Sequence, residues 1–146
     1  MSLLDLNQTT NLDSYNCGGF ALGTFDWYCP YVWRNGQYDW AQMFEECCEE
    51  MTDNFDLTPI RDPSTVPVDK KVIGFRFAID EDADEDADVD DVVIDFHFIL
   101  REDGVWYHKP GSNRICILPE SEIYDPWPRP SLSYGYNTEI AWFIKD

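Results

Sequence analysis

Hydrophobic positions along this chain follow helical spacing first and extended spacing afterwards. Residues 1 to 16 are polar and short on periodicity, then Cys17, Phe20, Ala21, Phe25 and Tyr28 recur at close to helical intervals. This predicts a helix that begins near Cys17 and is stopped by Cys29-Pro30. After a turn at Asn35-Gly36, a second helix is predicted over 38–55, with Trp40, Met43, Phe44, Cys47 and Met51 on one face. Pro59, Pro63 and Pro67 then predict an aperiodic surface loop of about a dozen residues.

The second half reads as strand. Residues 71–79 alternate, 92–101 are nearly all apolar apart from Asp95 and His97, and 105–108 return after Asp103-Gly104, a strong hairpin signal. Further strands are expected at 115–118 and 138–145. Helices first and antiparallel strands second predict one α+β domain over 1–146, its sheet holding about four to six strands.

Composition narrows the function classes. A chain of 146 residues buries roughly two-thirds of its unfolded surface, and 16% aromatic content separates it from acidic disordered sequences. The formal charge is −19, from 29 acidic against 10 basic side chains, which argues against a nucleic-acid partner. Nine of the 29 acidic residues stand between Asp80 and Asp91. That run lacks the sixth-position glycine of an EF-hand, so it reads as a solvated loop within the sheet region and less well as a calcium site. No basic segment precedes an apolar stretch at the amino terminus, and no run is long enough to span a membrane; a cytoplasmic protein is expected. The five cysteines, Cys17, Cys29, Cys47, Cys48 and Cys116, form neither a disulfide framework nor a zinc pattern.

Cys17 stands apart from the other four. A thiol at a helix amino terminus is favoured as thiolate by the helix dipole and by free backbone amides, which can also hold the oxyanion of a tetrahedral intermediate. Gly18 and Gly19 leave room for a substrate carbonyl, although each weakens the helix by about 1 kcal/mol relative to Ala. His97 interrupts the apolar strand and is the expected base, and His108 on the adjoining strand can orient its ring, with Asp95 as competitor. Asn11 and Asn16 are both candidates for an upstream oxyanion donor, and Trp106 for a wall of the substrate cleft.

Three segments, Asn16-Cys17-Gly18-Gly19-Phe20-Ala21-Leu22, Asp95-Phe96-His97-Phe98 and Trp106-Tyr107-His108-Lys109-Pro110-Gly111, stand in the order Cys, His, polar residue. In this the chain resembles the papain-like cysteine peptidase and amidase superfamily, particularly its compact NlpC-type and CHAP-type branches and uncharacterised bacterial and phage proteins. The resemblance implies a papain-like fold and a cysteine-dependent hydrolase or acyl transferase. Such an enzyme acts on a peptide or other amide-containing substrate through a thioester, with no metal or organic cofactor. The alternative is a non-catalytic acidic binding or inhibitor protein, phage-encoded in one version, that engages a basic partner surface.

Overall fold

The computed structural model describes residues 2–30, 40–80, 82, 93–127 and 135–145. The Asn35-Gly36 turn and all of the acidic run except Asp80 and Asp82 lie outside the described residues. Among the described residues three α-helices, α1 (Leu6–Thr9), α2 (Cys17–Leu22) and α3 (Trp40–Phe55), precede β1 (Thr58–Ile60), β2 (Lys71–Ile79), β3 (Val93–Glu102), β4 (Val105–His108), β5 (Cys116–Ile117) and β6 (Ala141–Lys145). The strands form one sheet in the order β1-β6-β2-β3-β4-β5, and every neighbouring pair is antiparallel. The architecture is α+β, as the hydrophobic spacing implied.

Two elements differ from expectation. The first helix stops at Leu22 and not near Cys29: Gly23 adopts a left-handed conformation (φ 75°) and turns its N–H back onto the carbonyls of Gly19 and Phe20. Apolar residues beyond it kept the helical spacing without the helix. In the proline loop, β1 is a three-residue strand that pairs Pro59 with Phe143 of β6. Proline is tolerated there because β1 is the sheet's edge, where one side of the strand has no neighbour to receive an N–H.

Period-two alternation divides the sheet between two apolar clusters. On one face Ile73, Phe75, Phe77, Phe96, Phe98 and Leu100 pack under α2 and α3, whose contributions include Phe20, Met43, Phe44, Cys47 and Met51. The ring of Phe44 stacks on Phe75 at 5.4 Å, and Phe75 lies 4.7 Å from Phe98. On the other face Val72, Ala78, Ile99, Trp106, Trp127, Tyr136 and Trp142 form the second cluster. Covering both faces explains why β3 reads as an almost continuous apolar run: each face claims every second residue.

The β3–β4 hairpin turns at Asp103 (φ 52°) and Gly104 (φ 81°), the pair of positive φ angles a two-residue turn of matching twist requires. Its register sets Ile99 opposite His108 and Arg101 opposite Trp106. Among the described residues no helix is long and apolar enough to cross a membrane.

Candidate active site

Cys17 is the first residue of α2 and is 5% exposed. Asn16 caps the helix: its side-chain oxygen accepts from the N–H of Gly19 at 3.0 Å and of Tyr28 at 3.1 Å, while its amide donates to the Tyr28 carbonyl at 2.7 Å. The capping amide is thereby committed to the segment 24–28 that folds back over α2. Asn11 is exposed and caps the separate turn Leu12–Ser14. The Asn16 side chain thus serves as a helix cap and the Asn11 side chain as a turn cap.

Gly18 and Gly19 also serve a different purpose from the one expected. A Cβ on Gly19 would lie 1.8 Å from the Asp26 carbonyl oxygen, and one on Gly18 would lie 2.8 Å from the Tyr28 ring. The glycines admit the protein's own backbone and aromatic ring, so the space reserved for a substrate carbonyl is filled from within the chain.

The environment of the sulfur inverts the expected thiolate. Burial pushes the Cys17 thiol up to about 12, while the backbone amides of Phe98 and Gly18 beside it pull in the other direction and are outweighed. A helix of six residues supplies little dipole against that desolvation. The resting sulfur is a thiol.

His97 and His108 are brought together. Nε2 of His97 and Nδ1 of His108 lie 3.0 Å apart, with ring planes at 90°. His97 is 1% exposed and stacks on Tyr136 at 4.6 Å, with Trp127 edge-on at 6.0 Å. The Tyr136 hydroxyl in turn donates to Asp95 at 2.9 Å, and the other Asp95 oxygen accepts from the Phe96 amide. Burial, and secondarily His108, hold His97 well below the ordinary histidine range; burial alone pushes His108 down to about 4. Both rings are therefore neutral near pH 7. Nδ1 of His97 has no hydrogen-bond partner among the described residues, so it is His108, not Asp95, that bonds the ring. When His97 Nε2 donates to His108, that open Nδ1 is a bare lone pair.

Cys17 and His97 do not hydrogen-bond to each other. The sulfur belongs to the helix-side cluster and the imidazole packs against residues of the opposite one, because His97 and Phe98 are consecutive on β3. What joins them is a single peptide: the Phe98 amide, which favours the Cys17 thiolate, is bonded directly to the His97 carbonyl carbon. Thiol and imidazole approach one point of β3 from its two sides.

Trp106, the expected cleft wall, is 3% exposed and tilts against Trp142 at 5.4 Å. It borders a hollow of about 90 Å³ with Arg101 and Tyr124, whose lining includes neither Cys17 nor a histidine. The remaining cysteines divide: Cys47 and Cys48 have thiols raised chiefly by burial, and Cys116 is exposed.

Sequence reasoning missed Tyr136 and Lys109. Tyr136 reaches His97 from a distant segment that no local pattern connects to it. Lys109 carried a usable signal, a lysine directly after the apolar strand 105–108, and the structure buries it completely. Comparisons with protein-family models, with curated proteins and with solved structures returned no match.

Proposed function

We propose that this protein is a papain-like cysteine hydrolase or acyl transferase that attacks an amide or peptide bond with Cys17. The observation that carries the proposal is the buried His97–His108 pair, in which the buried, unpartnered Nδ1 belongs to the residue whose carbonyl carbon is bonded to the Phe98 amide that favours the Cys17 thiolate. In the proposed reaction the segment carrying Cys17 shifts so that the sulfur leaves the Phe98 amide and comes within reach of the imidazole, which lies across β3 from it at rest. The sulfur then attacks the acyl carbon as its proton passes to Nδ1 of His97. The tetrahedral intermediate collapses, the carbon–nitrogen bond breaks and the amine departs with that proton. Water or a second amine then cleaves the thioester by the reverse proton path. His108 holds the ring through Nε2, as the third member of a triad does. A neutral imidazole suits this role, since a protonated one could not accept.

A small activated ester tests the chemistry without knowledge of the substrate. With p-nitrophenyl acetate, the expected outcome is a burst of p-nitrophenolate and an acetyl group on the Cys17 peptide by mass spectrometry. Cys17→Ala should abolish the burst, and His97→Ala should slow it about a hundredfold or more. Acetylation spread over the exposed Cys116 and lysines, unchanged in both variants, would overturn the proposal.

One observation favours a second reading, an acidic binding protein. Arg76, Arg101, Lys109 and Lys145 direct their cations at backbone carbonyls inside the molecule, which leaves the carboxylate excess of the chain without compensation from them. Capture of a basic partner by Cys17→Ala, undiminished and lost at high salt, would support that reading.

A further inference from the structure

Lys109 is a fully buried cation without a carboxylate. It is 0% exposed, and no acidic side chain pairs with it among the described residues. Its Nζ donates to the carbonyls of Leu12 at 2.6 Å, Tyr15 at 2.5 Å and Gly111 at 2.6 Å, so all three protons are committed. It also lies 4.6 Å from the centre of the Tyr15 ring. Burial of an ammonium costs several kcal/mol even after relaxation, so a purely structural tie would be made more cheaply by a neutral donor.

The location gives the charge a use. Two of the three carbonyls belong to the segment that runs directly into Asn16 and Cys17, and the third lies in the turn that follows the strand bearing His108. Lys109 thus bolts the nucleophile's segment to the strand of the orienting histidine. The charged and titratable groups around this point are Asp13, which acts on Lys109, Asp95, which acts on the thiol, and the neutral rings of His97 and His108. Asp95 opposes ionisation of Cys17. Among the described residues Lys109 is the one charged side chain that favours it, alongside the stronger pull of the Phe98 and Gly18 amides, and burial lowers its own proton affinity below the usual lysine value of 10.5.

We infer that Lys109 is a positioning residue, acting through Cys17: its fixed ammonium supports the sulfur's negative charge as the thiol gives up its proton. This rests on the proposed cysteine chemistry.

The test compares alkylation of Cys17 by iodoacetate, an anion, and by neutral iodoacetamide at pH 8, in a Cys116→Ser background that removes the exposed thiol. A cation beside the sulfur favours the anionic reagent, and a change in packing alone moves both rates together. Lys109→Met should slow both reactions and lower the iodoacetate to iodoacetamide ratio about tenfold. Lys109→Arg should restore the ratio. In the protein with Lys109 intact, the ratio should fall as pH rises through the titration of Lys109, and it should stay flat in Lys109→Arg, whose guanidinium does not titrate. This second measurement decides the matter even if Lys109→Met does not fold. An unchanged ratio with a reactive Cys17 overturns the role of Lys109 and leaves the cysteine chemistry standing. A Cys17 inert to both reagents overturns the cysteine chemistry, and the role of Lys109 with it.

Discussion

The two faces of the sheet are both buried and chemically unlike. The helix-covered face is a phenylalanine cluster in which Phe75, Phe77 and Phe98 are wholly enclosed and contribute no polar side chain. The opposite face buries Arg76, His97, Arg101 and His108 among tryptophans. Arg76 donates to the carbonyls of Thr138 and Asp125 and lies 5.0 Å from the Trp127 ring, and Arg101 donates to those of Pro63, Val66 and Pro67. The first face is held by area and fit. The second is held mainly by hydrogen-bond partners, because an unpaired buried polar group is costly, with Nδ1 of His97 and Nε of Arg101 as the exceptions among the described residues. The difference shows how consecutive residues on β3, His97 and Phe98, can be a hydrogen-bonded polar group and an apolar filler.

The comparison is broken most directly on the apolar face. Phe98→Ala should cost about 3–5 kcal/mol in denaturant unfolding, through lost burial and a cavity beside Cys17. A loss under 1 kcal/mol would mean that the cluster repacks freely.

On the polar face the effect should depend on pH. His108 titrates at about 4 in the folded chain against 6.5 for a free histidine. Between these values the unfolded chain holds the extra proton, so stability is full above pH 6.5 and declines as pH falls toward 4. The loss amounts to on the order of 3 kcal/mol. His97, lowered in the same direction, adds to the decline. His108→Gln should flatten that part of the stability–pH curve, and an identical curve would refute the burial of a neutral pair.

Arg76→Met should cost about 2–3 kcal/mol, since it strands the Thr138 and Asp125 carbonyls while keeping most of the side-chain volume. The smallest effect sharpens the contrast at the boundary between the faces. Asn16→Ala should cost about 1–2 kcal/mol by removing the cap of α2 and its tie to Tyr28. Hydrogen exchange should then accelerate at Gly19 and Tyr28 and not at β3.

Much of the framework was legible in the sequence because its signals are local. The face of α3, the strands over 71–79 and 105–108 and the turn at Asp103-Gly104 follow from spacing and backbone preference, which act over a few residues. The pairing of His97 with His108 was legible for the same reason, since a two-residue hairpin nearly fixes its register. β1 was hidden by Pro59, because an edge position cannot be recognised until the sheet exists. The glycines of α2 were legible as a demand for close approach, but what approaches them, Asp26 and Tyr28, is set by a fold-back that Asn16 clamps.

By itself, then, the sequence determined that this chain is an α+β domain with a cysteine at a helix start and two histidines on adjoining strands. Tertiary structure alone decided that the cysteine is a buried thiol, that the histidines are neutral, and that sulfur and imidazole meet β3 from opposite sides. Periodicity records which residues avoid water. Ionisation depends on how completely water is removed and on what charge stands nearby, and Lys109 shows that both come from segments far apart in the chain.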